Sequence, residues 1–422
     1  MLDIKFIRQN AQQVQAGNDA KGFKVDVSQV LALDDEIRPM QQELEQLQAE
    51  RNKLSQEIPK AQADKRELLK KEVLAIKVKM ESLEAVLNER RPILNELLLK
   101  LAQPAGPDVP FGKDDKENVE VRKWGDPRKF AFSAKDHIAI GEKLGILDFE
   151  RGVKVAGSRS YILKRDGALL EQAVLRFGYD FVVKKGFAPH SVPLLVKEEA
   201  MIGTGYFPVG RDQAYFIEKD KLALIGTSEV SLCSMHANEM LTEEELPLRY
   251  TSLTTCFRRE AGTYGKDTRG LYRVHQFNKI EMVVFAVADA KKSEEYHHEL
   301  LSISEGILQA LELPYRVVYV CTGDLGQGQV RKHDIETWMP SRNGYGETHS
   351  CSTFHDFQAR RLNIRYKTKD GQKAIAYTLN NTALAIPRIL LALLENFQEA
   401  DGSVSLPSVL HPYMMGKTRL RA

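Results

Sequence analysis

Between residues 30 and 101 apolar side chains recur in an alternating four-three step, and this repeat restricts the possible folds of the chain more than any other feature. Leu33, Ile37, Met40, Leu44, Leu47, Leu54 and Ile58 follow the step with Arg51 as its interruption. Leu69, Val73, Ile76, Met80, Leu83, Leu87, Leu94, Leu97 and Leu101 resume it, with Arg90 as the polar break. Each run places one apolar seam along a helix, as a coiled coil requires. Between the runs lies IPKAQAD, whose Pro59 disfavours helix at the preceding residue. The segment therefore predicts two helices of nearly equal length folded into an antiparallel hairpin. At 1.5 Å per residue, helices of about 30 residues reach roughly 45 Å, more than a domain core needs, so the hairpin is expected to project as an arm.

The rest of the 422 residues can hold a second, larger domain. The stretch AQPAGPDVPFGKDDKENVEV is dense in Pro, Gly and charge and reads as a linker. The expected division is a hairpin domain over 1–103, a linker over 104–125 and a main domain over 126–422. In the last, QAYFIE, LPLRYTSLTTCFRRE, HQFNKIEMVVFAV, YRVVYVCTG and KAIAYTLN alternate apolar with polar residues, as strands of an antiparallel sheet with one covered face do. GALLEQAVLRFGYDFVVKK and TALAIPRILLALLENF read as helices among them, giving an α+β class.

Composition narrows the compartment and the chemistry. A net charge of +2 means that any nucleic-acid contact must come from local basic patches. The opening MLDIKFIRQNAQQ has early charges and no apolar h-region, and no run approaches the ~20 apolar residues of a membrane span, so a soluble cytoplasmic protein is expected. Cys233, Cys256, Cys321 and Cys351 are scattered without a CxxC, which points to buried free thiols rather than zinc or disulfides.

Two short motifs suggest nucleotide chemistry and fail. Gly416-Lys417-Thr418 matches the end of a phosphate-binding loop, but His411 stands where the motif needs glycine. His137-Ile138-Ala139-Ile140-Gly141 lacks both the spacing and the KMSKS partner of class I synthetases. A third constellation holds together. Phe257-Arg258-Arg259-Glu260-Ala261-Gly262, a basic loop with Lys266, Arg269 and Arg273, and then His275-Gln276-Phe277-Asn278-Lys279-Ile280-Glu281 resembles motif 2 of class II aminoacyl-tRNA synthetases. The helix leading to Gly186-Phe187 and Pro193 resembles the dimer-forming motif 1, and Leu379 to Arg388 resembles motif 3, with Ala383 where the family carries glycine. Within class II, the MLDIKFIR opening, the hairpin, Thr227-Ser228-Glu229, the run Glu347-Thr348-His349-Ser350-Cys351-Ser352, DFQARR at 356–361 and the PYM ending are similar to the seryl-tRNA synthetases over essentially the whole chain. Thr348 and His349 stand where many bacterial members have a hydrophobic residue and serine.

The resemblance implies serine activation by ATP, then transfer to the 3′ end of tRNA-Ser, with tRNA-Sec also charged where one exists. It implies that Arg258 holds the α-phosphate and the attacking carboxylate, that Arg388 holds the γ-phosphate, that Phe277 and Arg388 stack on adenine, and that Glu260 contacts the adenine side. Arg259, Thr348 and His349 belong to the same ATP-binding runs. Mg²⁺ would be held by Glu347 and Ser350, with no zinc expected. For serine it implies Thr227, Ser228 and Glu229 at the ammonium end and Glu281 and Thr382 at the hydroxyl. A homodimer is implied by motif 1, and tRNA contacts by the arm, where Arg51, Lys53, Lys60, Lys65, Arg66, Lys70, Lys71, Lys77 and Lys79 are available to phosphates. These roles suit the chemistry: joining a carboxylate to a phosphate brings two anions together, which calls for fixed cations with bidentate geometry. An amino acid:carrier-protein ligase would share the core but lack the arm, and a scaffold with a degenerate core would not keep Arg258, Glu260, Glu281, Glu347 and Arg388.

Overall fold

The computed structural model describes residues 1–262 and 269–422, which form two compact units, Met1–Ala102 and Gln103–Ala422. Lys266 of the basic loop lies outside the described residues.

The first unit is helical: α1 (Ile4–Gln9), α2 (Ala11–Ala20), α3 (Val27–Glu57) and α4 (Ala63–Lys100). Asp3 and Asp26 cap α1 and α3, accepting the N–H of Lys5 at 2.7 Å and of Ser28 at 2.8 Å. The four-three seam is the arm's core: Leu33, Ile37, Leu44 and Leu47 of α3 bury against Met80 and Leu87 of α4, with Met40, Ile76 and Leu83 beside them. Leu2, Ile7, Val14, Val27, Val30 and Leu101 close a second cluster. The helices are less equal than the repeat suggests, 31 and 38 residues. Pro39 sits inside α3, and Pro92 does not end α4, which runs on to Lys100. Each proline removes one helical N–H at a cost of about 3 kcal/mol. Seam packing on both sides, Ile37 and Leu44 around Pro39 and Leu87 and Leu94 around Pro92, offsets that cost. On the arm surface Lys79 pairs with Glu43 at 2.6 Å and Lys70 with Glu67 at 2.7 Å, exposed pairs worth little to stability.

The second unit is built on an eight-stranded sheet. Its strands, numbered here in chain order, are β1 (Val119–Trp124), β2 (Ala188–Pro189), β3 (Leu248–Phe257), β4 (Gln276–Ala286), β5 (Tyr315–Tyr319), β6 (Arg331–Met339), β7 (Gly344–His355) and β8 (Tyr377–Ala385). The spatial order is β1-β5-β6-β7-β8-β4-β3-β2, antiparallel throughout except for the β2/β3 pairing. Four helices matter for the site: α5 (Asp166–Lys184), α6 (Glu229–Ser234), α7 (Ala290–Ala310) and α8 (Arg388–Asn396).

The central strands depart from one-sided alternation. Ile280, Met282, Val284 and Ala286 of β4 join the main core with α5 and α7, while Val283 and Phe285 join a second cluster with Leu232, Leu362 and Ile364. A strand covered on both faces reads as a continuous apolar run. Gly178 of α5 lets the helix approach the sheet, since a Cβ there would stand 3.0 Å from Leu384.

Two further expectations are corrected, and two strands went unread. The stretch 104–125 is more than a linker, because β1 forms one edge of the sheet, pairing with β5; every residue of β1 is exposed, and so its composition looks polar. Residues 382–385 of TALAIPRILLALLENF are the end of β8, and helix begins only at Arg388; Pro387 pushes the residue before it away from helix. Strands β6 and β7 escaped the alternation pattern, as their inward positions carry His333, Asp334, Thr337, Thr348 and His349 among the apolar residues. The four cysteines are buried free thiols, and no helix among the described residues is long and apolar enough to cross a membrane.

Candidate active site

Strands β3 and β4 pair in register, Cys256 with Phe277 and Phe257 with Gln276, which sets Arg258 and His275 opposite each other at the mouth of the hairpin. The Arg258 N–H donates to the His275 carbonyl at 2.9 Å, closing the pair. Gln213 holds the next turn: its carbonyl accepts the Arg259 N–H at 2.9 Å, and its side chain bonds both backbone groups of Ala261, at 2.9 and 3.1 Å. Glu260 occupies the left-handed region at φ 53° and accepts from Arg273 Nη1 at 3.0 Å, so the two flanks of the loop are tied by an ion pair.

A cleft of about 500 Å³ lies against this hairpin. Arg258, Glu260, Arg273, Phe277 and Lys279 line one side, Glu347, Thr348, His349 and Ser350 another, and Thr382 and Arg388 the rest. Sheet order explains the meeting: β4, β8 and β7 are neighbours, and α8 starts where β8 ends. The β4/β8 pairing sets Ile280 against Leu384 but Glu281 against Thr382, leaving Ala383 as an extra residue. This bulge brings Thr382 and Ala385 to the cleft together.

The cations are fixed before any ligand arrives. Arg258 lies over the Phe277 ring, 5.3 Å from its centroid, and its Nε donates to the Gly226 carbonyl at 3.3 Å. Arg388 donates from Nη1 to the Glu347 carbonyl at 2.7 Å and from Nε to the Tyr272 carbonyl at 3.1 Å. The Arg388 and Arg342 guanidinium groups lie 4.4 and 4.2 Å from the centre of the Tyr272 ring. The Glu347 side chain is 47% exposed and 3.5 Å from Arg388. Desolvation opposes its ionisation, but Arg388, Lys332 and Arg258 together hold the carboxyl below its ordinary value. Behind it, buried Asp334 is pushed up by desolvation despite its Lys332 partner at 2.9 Å and a hydrogen bond with Ser350.

Deeper in the fold lies a second polar group. Glu229, 4% exposed, accepts from Gln358 Nε2 at 2.7 Å and Tyr206 OH at 2.8 Å. Burial raises its pKa, and Glu281 adds to the rise. Lys279 Nζ reaches Thr227 Oγ1 at 2.8 Å, Thr382 Oγ1 at 3.4 Å and the Glu281 carboxylate. Thr382 donates to Glu281 Oε2 at 3.2 Å.

Two expected residues are not brought in. Arg259 is exposed and does not line the cleft, and Ser228 is fully buried at the N-cap of α6 with its hydroxyl unpartnered. Thr348 and His349 reach the cleft wall, yet their side chains bond inward: Thr348 Oγ1 contacts Thr337 Oγ1 at 2.7 Å and His349 Nδ1 at 2.8 Å. Sequence reasoning missed Lys279, Tyr206, Gln358, Asp334 and Tyr272. A lysine inside an otherwise apolar strand, two residues before Glu281, was the signal for the first.

The N-terminal residues 1–103 match the family model described as Seryl-tRNA synthetase N-terminal domain, and residues 215–397 match tRNA synthetase class II core domain (G, H, P, S and T). A serine–tRNA ligase from Deinococcus radiodurans is 45% identical over 417 residues, covering 99% of this chain and 98% of its own. The chain belongs to the seryl-tRNA synthetase family. The serine–tRNA ligase of Rubrobacter xylanophilus is 43% identical over 98% of each chain. Among solved structures, the Pyrococcus horikoshii seryl-tRNA synthetase complexed with ATP superposes with a TM-score of 0.91 at 38% identity, covering 100% of this chain and 99% of that one. A prolyl-tRNA synthetase from Giardia lamblia shares the fold alone, with a TM-score of 0.57 at 18% identity over 65% of this chain and 55% of its own.

Proposed function

We propose that the cleft performs, with the residues named below, the two steps of serine–tRNA ligation: L-serine and ATP give seryl-adenylate and pyrophosphate, and the seryl group then passes to the 3′ end of tRNA-Ser. In the first step a serine carboxylate oxygen attacks the α-phosphorus as the bond to pyrophosphate breaks. Arg258 offers paired donors to the carboxylate and the α-phosphate, lowering the repulsion between them. Arg388, clamped by the Glu347 and Tyr272 carbonyls, takes the γ-phosphate. Phe277 supplies the face for adenine and Glu260 an acceptor at its edge, with Thr348 and His349 in the surrounding wall and Arg259 beside Arg258 on the exposed side of the hairpin.

Glu347 and Ser350 are the candidate Mg²⁺ ligands. They fit, because both offer oxygen and the cleft favours the ionised form of Glu347. Among the described residues no group of three or more His, Cys, Asp or Glu is placed to hold a metal. Phosphate and water would supply the remaining ligands, an arrangement Mg²⁺ accepts readily. Bound there, the ion would neutralise phosphate charge.

Thr227, Glu229, Glu281 and Thr382 form the serine pocket, with Glu229 for the ammonium and Glu281 and Thr382 for the hydroxyl; Ser228 contributes backbone only. Residues 1–103 serve as the tRNA arm of a cytoplasmic homodimer. The observation that carries the reading is the convergence of Arg258, Arg388 and Glu347 above the buried Lys279, Glu281 and Thr382 group. Serine-dependent ATP–pyrophosphate exchange, followed by charging of total tRNA, tests it; exchange driven by another amino acid, or none, overturns it.

A further inference from the structure

Lys279 is 4% exposed, and its ammonium group has three N–H donors. Thr227 Oγ1, Thr382 Oγ1 and the Glu281 carboxylate take all three. Nothing is left with which Lys279 could grip a carboxylate or phosphate, so it acts through its neighbours.

What it does to them follows from counting. Thr227 Oγ1 also accepts the Glu229 N–H at 3.2 Å, so both its lone pairs are engaged and only its O–H proton remains to offer. Thr382 spends its proton on Glu281 Oε2 and one lone pair on Lys279, leaving one lone pair. One threonine is therefore a donor and the other an acceptor toward anything between them. The charges count similarly. Counted as ionised, two buried carboxylates, Glu229 and Glu281, against one ammonium leave −1, which matches a single substrate ammonium. Without the lysine the pocket would carry −2 or have to bind a proton, since unpaired buried charge is costly.

We propose that Lys279 is a positioning residue that sets the serine pocket to a net charge of −1 and fixes the donor and acceptor sense of the Thr227 and Thr382 hydroxyls, making it an unassigned determinant of serine specificity. The proposal rests on the assignment of this pocket to serine.

Lys279→Met in the full-length protein tests it. Pyrophosphate exchange should show serine kcat/KM lowered at least about tenfold, the ATP KM changed less than about threefold, and alanine activation reduced less than serine activation, because alanine brings no hydroxyl. The double variant Lys279→Met/Glu281→Gln restores −1 and should recover roughly threefold or more over Lys279→Met. Should Lys279→Met fail to fold, the wild-type protein still decides: L-serine titrated calorimetrically at pH 7.5 in two buffers of different ionisation enthalpy should exchange less than about 0.2 proton, as a charge-matched pocket requires. The proposal is overturned by an unchanged serine kcat/KM and serine-to-alanine ratio in Lys279→Met, by a double variant no better than the single, or by wild-type uptake or release of about half a proton or more. Wild-type protein that exchanges pyrophosphate without regard to serine would instead remove the serine assignment itself.

Discussion

The Arg258 guanidinium covers the Phe277 ring at 5.3 Å while its Nε is held by the Gly226 carbonyl. The stacking partner proposed for adenine thus also braces the arginine proposed for the α-phosphate. A planar cation held on a ring and a carbonyl loses little freedom when phosphate arrives, which is what preorganised electrostatic stabilisation requires.

Arg258→Ala should lower the rate of adenylate formation by about 10²–10³-fold, the usual cost of one preorganised donor, with the fold intact. Stopped-flow measurement of the activation step checks this; a loss under about threefold would exclude Arg258 from the transition state.

Thr382→Ala should reduce serine activation more than alanine activation, since only serine has a hydroxyl to lose a partner. The serine-to-alanine ratio of kcat/KM should narrow, and an unchanged ratio would show that Thr382 does not read the side chain.

Replacing Val30 to Leu101 with a short flexible linker should leave pyrophosphate exchange nearly intact and greatly impair charging of tRNA-Ser. Every residue of the cleft lies after position 257 and none lies in the arm. Raising salt should likewise depress charging by the intact chain more than exchange, because phosphate contacts weaken with salt. Equal loss of both activities on arm removal would contradict a separate arm role.

His137 Nδ1 faces Glu395 at 2.8 Å, and its Nε2 accepts the Leu271 N–H at 3.0 Å, beside the residue whose ring packs on Arg388. A backbone N–H can only donate, so the ring is neutral with its proton on Nδ1. His137→Ala should cost about 1–3 kcal/mol of stability, because the buried Leu271 N–H loses its acceptor while Glu395 loses one donor and keeps the His137 and Ser341 N–H groups and the Ser341 hydroxyl, and should raise the KM for ATP more than that for serine. Denaturant unfolding and paired KM measurements decide; equal KM changes would detach this contact from the ATP side.

Acid should destabilise the fold early. Burial pushes His333 down to about 3, with Arg331 adding to the effect, and burial likewise pushes His349 down to about 3. Both rings stay neutral in the fold at pH values where the unfolded chain, near 6.5, binds protons. Their contribution is complete above about pH 6.5 and is lost as pH falls from there toward about 3, by up to about 1.4 kcal/mol per pH unit for each ring. Chemical denaturation from pH 7.5 to 4.5 should show this slope, and His333→Gln should make it shallower.

The sequence made parts of this site legible for identifiable reasons. Arg258, Glu260 and Phe277 stand within twenty residues on one hairpin, so their spacing survives in the linear order. Glu347 and Arg388 were legible only through resemblance, because nothing local marks the strand that carries the one or the helix start that carries the other. Gln358 and Lys279 lie inside the quoted motifs, but nothing in the linear order gave either of them a role. Their contacts close over 129 residues to Glu229 and over 52 and 103 residues to Thr227 and Thr382, between elements far apart in sequence that no local pattern announces. The linker misreading has the same root in reverse, since an edge strand exposed on all six residues has no burial pattern to display.

The extra residue at Ala383 bears on how such a pocket could be retargeted. Because the bulge places positions 382 and 385 on one wall three residues apart, where unbroken strand would space them by two, the ladder beneath acts as a fixed frame into which side chains are slotted. Substitutions at 279, 281 and 382 change what is slotted in and leave the frame alone. Removing or adding one residue beside Ala383 shifts the frame itself and turns every later slot on β8 to the opposite face. An effort to teach this chain a different amino acid should therefore vary those three side chains and hold the residue count of the strand constant.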